Sequence, residues 1–356
     1  MRLLIVFIFA LILTGCNNPE DALPQGDLGD GRDLYNEGVF IVNEGNFDWG
    51  FGTLSHYDRE GEEVTNAIFK KKNGHELGNV VQSLYILDSV GYLPINNSSR
   101  VEIVDVKTME WLGRIEIPKS SPRYFYPVTQ SKAYVTDIYA DRFYVVNTET
   151  NALEKDVQVG GWTEKMISHD DFIYMTQTRT AYDTREGGQL LLKIDKISDV
   201  VIDSLKMPVG PIDIQKDKNN NLWVLCNGGL GKAKPSLVKV DVGSFKIKDI
   251  FEFESKGLEQ PSRLRINAAK DELYYIYNDV FKFNITDSNL PQTPIIPANG
   301  RLFYALGIDP ISNEIYTSDA FDYVQQGMVF KYDYNGKELH SFTVGVIPNE
   351  FVFNYN

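Results

Sequence analysis

The sequence predicts an all-β chain folded as a seven-bladed β-propeller, with four antiparallel strands per blade and the ring closed by the C-terminal strand. Three observations predict it: a seven-fold repeat, the strand-like content of each repeat, and a C-terminal run that supplies what the first repeat lacks. The repeat is an apolar or aromatic residue followed by Asp or Asn, then a polar turn and a further strand-like run. It recurs at Tyr57-Asp58, Val104-Asp105, Val146-Asn147, Ile194-Asp195, Val240-Asp241, Phe283-Asn284 and Tyr332-Asp333, at spacings of 47, 42, 48, 46, 43 and 49 residues. Periods of this size mark propeller blades and override the two domains that a length of 356 residues alone would imply.

Each repeat has the same internal order. In the third, Tyr124-Phe125-Tyr126 is followed by Lys132–Thr136, Arg142–Val146 and Leu153–Val159, four short runs rich in β-branched and aromatic residues between turn formers. The 20 Tyr and 20 Phe suit a sheet-rich core, and no segment sustains an amphipathic helical period. Four antiparallel strands repeated in this way describe a propeller; a solenoid or a pair of β-sandwiches is the structural alternative. The first repeat opens at Gly38–Val42 without an innermost strand. The tail Pro348–Phe353 matches the inner-strand pattern of Pro122–Tyr126, so it is expected to complete the first blade and remove an open edge.

The N-terminal residues address the compartment. Arg2 precedes an apolar run, Leu3–Leu13, of signal-peptide length and too short to span a bilayer. The run ends in Leu13-Thr14-Gly15-Cys16, which resembles the lipobox of bacterial lipoproteins and implies a lipid on Cys16. The expected division is a signal peptide over 1–15, the lipidated cysteine and a flexible tether over 16–36, and the propeller over 37–356. Glu20 and Asp21 resemble the export signals of Bacteroidota lipoproteins, which implies an outer-membrane location, lipid-anchored and facing the cell surface. Cys226 is then alone, without an intrachain disulfide, and its setting in Leu222–Cys226 is that of a buried core thiol.

Composition and motifs exclude several function classes. The formal net charge is −14 and the densest basic run is Lys70-Lys71-Lys72, so nucleic acid and anionic headgroups are poor partners. Contact with a membrane is expected through the lipid anchor only. His56, His75, His169 and His340 are scattered over different repeats without zinc-ligand spacing, and neither a GxSxG elbow nor a P-loop is present. Asp217–Asn221 begins like a calcium loop but lacks its glycine and its closing glutamate, and falls where other blades have a hairpin turn. No catalytic residue, metal or cofactor is therefore expected. A propeller enzyme would need Asp48, Asp141, Glu164 and Glu350 to converge on an ion.

The longer loops carry the informative residues. Loops leading into each innermost strand and loops joining strands two and three gather on one propeller face. They bring Trp49, Phe51, Asn97, Tyr139, Tyr182 and Tyr323 to that face, and the inner-strand starts add Arg123, Trp162, Arg263 and Tyr304. Aromatic planes mixed with amides and guanidiniums suit a flat or ring-shaped ligand rich in carbonyl and amide groups. A glycan or a protein partner on the same face is the alternative.

Residues 42–79 carry a more specific likeness. Val42-Asn43-Glu44-Gly45-Asn46, Leu54–Asp58, Val64–Phe69 and Asn73–Asn79 resemble the opening of the YncE-like surface propellers of Bacteroidota, including the BtuG-type cobalamin-binding lipoproteins. That resemblance implies capture of cobalamin or a related corrinoid outside the cell and its delivery to a TonB-dependent outer-membrane transporter. The corrinoid would be a bound ligand rather than a cofactor.

Overall fold

The repeated Asp or Asn forms a turn in every blade. Its side-chain oxygen accepts a hydrogen bond from a backbone N–H two or three residues on, at 2.7–3.0 Å, in Asp58, Asp105, Asn147, Asp195, Asp241, Asn284 and Asp333. A short acceptor side chain at this point offers the backbone a partner outside the ladder and ends the third strand. The oxygen-rich stretch at Asp217 is a turn as well. The buried Asp217 carboxylate accepts from the N–H groups of Asn219 and Asn221 and from Trp223 Nε1 at 2.8–2.9 Å.

The protein is described by a computed structural model over Tyr35 and residues 37–179, 187–229, 231 and 233–355. The signal segment, Cys16, the tether before Tyr35, and Tyr182 lie outside the described residues. The described chain forms seven sheets arranged as a seven-bladed propeller, six of four strands and one of three. In blades one to seven the inner strands are Pro348–Tyr355, Tyr85–Leu87, Pro122–Pro127, Trp162–His169, Pro211–Lys216, Ser262–Ile266 and Phe303–Ile308. In blade six the outer position is held through a single bridge, in which the Val280 N–H bonds to the Ile296 carbonyl. One six-residue helix, Ile68–Asn73, interrupts the β-structure after blade one.

The C-terminal strand closes the ring. It pairs antiparallel with Glu37–Asn43, from Glu37 opposite Tyr355 to Asn43 opposite Pro348. Side chains seal the joint between blades seven and one: Phe342 stacks on Tyr57 with ring centroids 4.3 Å apart, and both join a cluster with Ile41, Tyr316 and Phe351. Gly327 makes room for the closing strand, since a Cβ there would stand 2.6 Å from Pro348 Cγ. Elsewhere the apolar faces of adjacent sheets pack in the same way; Trp223, Leu237 and Phe253 of blade five meet Leu273, Tyr275 and Phe283 of blade six. Cys226 is fully buried, and burial pushes its thiol well up, as a core cysteine requires.

Blade one also buries a histidine. The His56 ring packs 5.0 Å from both Tyr35 and Phe40, and Gly38, at φ +141°, leaves space that a Cβ would fill 2.6 Å from His56 Nε2. Burial lowers the His56 pKa from 6.5 to about 4.

Two predictions follow from this architecture. Truncation after Pro348 removes the inner strand of blade one and lowers the melting temperature by more than about 10 °C; an unchanged thermal transition would refute closure by this strand. For His56, the unfolded chain takes up the proton first as pH falls. The stabilisation is therefore complete above pH 6.5 and is lost towards pH 4, amounting to roughly 3 kcal/mol. Urea midpoints measured across that window fall in the wild type, and the fall is smaller in His56→Gln.

Candidate functional site

The channel mouth is built by a backbone irregularity repeated around the ring. The inner strands of blades three to seven begin with a shift in register, between Pro122 and Phe125, Thr163 and Met166, Pro211 and Asp213, Ser262 and Arg265, and Phe303 and Leu306. A shift of this kind leaves a residue outside the ladder and re-aims its side chain. The residues left out include Arg123, Glu164, Ile212, Arg263 and Tyr304. Blade one repeats the device: Glu350 and Pro348 pair with consecutive residues and Asn349 between them pairs with none. In blade two the corresponding residue is Gln82, next to the isolated bridge at Val81.

These side chains are tied to one another across the channel. Arg123 bonds Glu164 through Nε and Nη2 at 3.0 and 3.1 Å, and donates through Nη1 to Gln82. Gln82 donates to Glu44 Oε1 at 3.2 Å, and the Tyr304 hydroxyl donates to Glu44 Oε2 at 2.9 Å. Arg263 donates to the Tyr304 carbonyl at 2.9 Å and to the Asn349 side chain, and Asn349 donates to the Gln82 carbonyl at 2.6 Å. Arg263 itself sits at φ 59°, a left-handed conformation that costs a non-glycine residue about 1–3 kcal/mol.

The electrostatics follow from burial. Glu44 is raised above the usual carboxylate range because desolvation outweighs the pull of Arg263 and Arg123 and its two side-chain hydrogen bonds. Burial works against the charge of Arg123, but Glu164 and Tyr124 more than offset it and hold the guanidinium above its ordinary value. The Tyr304 hydroxyl is raised by burial and by Glu44. This mouth is a connected, largely neutralised polar network of the kind that is stable only when every member is paired.

Outside the mouth, the blade-one loop over residues 44–52 presents Phe47, Trp49 and Phe51 to solvent, with Trp49 90% exposed. Asn79 fixes this loop. Its Nδ2 donates to the carbonyls of Asn46 and Gly50 at 3.2 and 2.7 Å, and its Oδ1 accepts from the Asp48 N–H and from Asn97 Nδ2 at 3.3 and 2.9 Å. Asn46 reaches the blade-seven loop, donating to the Tyr323 carbonyl at 2.7 Å, where Phe321, Tyr323 and Val324 are exposed. Tyr323 meets Tyr304 edge-on with centroids 5.8 Å apart, which joins the aromatic rim to the polar mouth.

The structure thus groups the residues singled out from the sequence. Trp49, Phe51, Asn97 and Tyr323 belong to the rim of blades one, two and seven; Arg123, Arg263 and Tyr304 belong to the mouth. Tyr139 and Trp162 form a separate edge-to-face pair, 5.2 Å between centroids, with Tyr139 exposed and Trp162 only 5% exposed. Trp162 is thus largely buried behind Tyr139, and the two line a recess together with Asp141 and Arg142. Glu44, Gln82, Asn79 and Asn349 were not singled out. Of these, Glu44 and Asn79 fall in the 42–79 stretch that carries the family likeness, Asn349 follows the Pro348 of an inner-strand start, and Gln82 carries no sequence signal. Among the described residues no three His, Cys, Asp or Glu side chains converge to hold a metal, and no helix is long and apolar enough to cross a membrane.

Residues 37–354 match the family described as Domain of unknown function (DUF5074). No curated protein matches the chain. Among solved structures, a quinoprotein alcohol dehydrogenase-like protein of Bacteroides thetaiotaomicron superposes with a TM-score of 0.70 at 16% identity, covering 90% of this chain and 79% of its own. Virginiamycin B lyase of Staphylococcus aureus gives 0.56 at 14% identity, with coverage of 80% and 93%. Kuenenia stuttgartiensis hydrazine synthase gives 0.55 at 14% identity, with coverage of 74% and 85%. At such identities the likeness extends to the propeller fold alone.

The mouth network yields a stability prediction. Arg123→Met leaves Glu164 buried without its partner and Gln82 without its donor, and lowers unfolding free energy by roughly 3–5 kcal/mol in urea titration. A loss under about 1 kcal/mol would mean that the pair is solvent-screened.

Proposed function

The chain belongs to the DUF5074 family, and from that premise we propose that it is a binding propeller that captures a flat, amide-fringed ring ligand of the corrinoid class on its loop face. The observation that carries the reading is the rim itself. Trp49, Phe47 and Phe51 stand in solvent on a loop whose backbone is fixed by Asn79, beside the exposed Tyr323 and Val324. A contiguous exposed aromatic patch is a poor surface for a protein with no use for it. Such a cluster gives a planar ligand a large stacking area. The amides of Asn46 and Asn97 and the polar mouth behind them match a ligand periphery of carbonyl and amide groups.

The likeness of residues 42–79 to the YncE-like and BtuG-type propellers supports the same ligand class. In this reading Cys16 carries the lipid, the propeller is displayed at the outer membrane, and the ligand passes to a TonB-dependent transporter. Binding rather than chemistry is the role, since the carboxylates Glu164 and Glu350 of the channel are each engaged by a basic side chain.

Isothermal titration with cyanocobalamin tests the proposal. Saturable binding is expected at micromolar concentration or tighter, with Trp49→Ala combined with Phe51→Ala weakening it by about tenfold or more. Both side chains are exposed, so the variant keeps the wild-type melting temperature. No heat at roughly 10 μM protein and ligand would overturn the proposal.

A further inference from the structure

The channel holds a second space, lined by the residues that follow those of the mouth. It is a cavity of about 320 Å³ bounded by the inner strands of blades one to six, at the small end of the range for ligand pockets. Four charged side chains face it in two pairs. Lys165 Nζ lies 3.2 Å from Glu350 Oε1 and 3.5 Å over the centre of the Tyr124 ring. Arg265 Nη1 lies 3.1 Å from Asp213 Oδ2. The four side chains are between 6% and 18% exposed. Much of the remaining wall is apolar, including Phe125, Met166 and Ile214, and Ser83 and Gln215 add polar atoms to it.

Propeller geometry does not require charge here. The backbone N–H of Lys165 bonds to the hydroxyl of Thr176 on the neighbouring strand at 3.1 Å. The same bond marks the equivalent position in blade three, Tyr124 to Thr136, and in blade seven, Ala305 to Ser318. An aromatic residue or an alanine serves the backbone equally well. An ion pair taken out of water is often no more stabilising than an apolar pair of similar volume, so stability alone is a weak reason for two such pairs here.

We propose that this cavity is a binding site, separate from the loop face, for an α-amino acid with an apolar side chain, held as the zwitterion. A ligand of one sign would draw a basic or an acidic group from its partner and leave that partner beside uncompensated charge. A zwitterion inserts both signs at once. Its carboxylate meets Lys165 and Arg265, its ammonium meets Glu350 and Asp213, and each resident group keeps a counter-charge. The apolar side chain fills the space against Phe125, Met166 and Ile214.

Titration calorimetry of the wild-type protein with L-phenylalanine, 3-phenylpropanoate and 2-phenylethylamine tests this directly. The three share one ring and differ in which charges they carry. L-Phenylalanine is expected to bind with a Kd below about 1 mM, and each singly charged analogue about tenfold more weakly or worse. Lys165→Met and Glu350→Gln each weaken L-phenylalanine by about tenfold and leave the cyanocobalamin titration as in the wild type. Equal affinity for all three compounds, or no L-phenylalanine binding below about 1 mM, overturns the proposal. The analogue series needs no variant, so a substitution that fails to fold does not protect it. Failure of cyanocobalamin to bind leaves this site standing, because the two titrations read different parts of the molecule.

Discussion

Everything in this molecule depends on the pairing of the C-terminal strand Pro348–Tyr355 with Glu37–Asn43. It joins residues more than three hundred positions apart, yet closure entropy grows only logarithmically with the length enclosed. What repays it is local. The closing strand completes the ladder of blade one, and Tyr57, Phe342 and Phe351 bury the joint with blade seven. The same strand delivers Asn349 and Glu350 to the channel. Closing the ring and assembling the channel network are thus one event. Asn349 contacts Arg263 of blade six and Gln82 of blade two, so it braces blades that are not neighbours in sequence.

Most of the fold was legible in the sequence because its determinants are local and repeated. The seven Asp or Asn residues announce themselves by spacing, and their turn geometry explains why only short acceptor side chains stand there. The closing strand was legible because it carries an inner-strand pattern that the first repeat lacks. The site was legible only in outline. Loop aromatics such as Trp49 and Tyr323 could be assigned to a face from their place in the repeat. The mouth could not be assembled, because it depends on a one-residue shift of register that strand alternation conceals. Arg263 adopts a left-handed backbone that nothing in Ser262-Arg263-Leu264 foretells. Asn79 lies in the stretch that carries the family likeness, yet nothing there foretells that its amide makes four hydrogen bonds that set the shape of the blade-one loop. Trp162, read from the sequence as a loop-face aromatic, is buried against Tyr139.

The distribution of charge separates the surface from the channel. The chain carries a formal charge of −14, whereas the channel holds Arg123, Arg263, Lys165 and Arg265 against Glu44, Glu164, Glu350 and Asp213. The excess therefore lies outside the channel, on the N-terminal segment, on buried carboxylates such as Asp217 and Asp319, and on the outer surface. Its acidity keeps the propeller soluble and repels anionic partners at long range. The balanced interior acts at contact distance, through geometry and hydrogen bonds. A neutral amide-rich ring and a zwitterion are both ligands that an acidic surface admits without a long-range penalty.

Rigidity links these features. A closed ring of sheets has little freedom to reshape its mouth, and the cross-channel bonds from Arg123 and Arg263 restrict it further. The aromatic rim rests on that frame through Asn46, Asn79 and the Tyr304–Tyr323 contact. Its rings stand in water, and the apolar area they expose is a standing cost to the free protein. The loop face thus takes its shape from the same strand pairing that closes the ring.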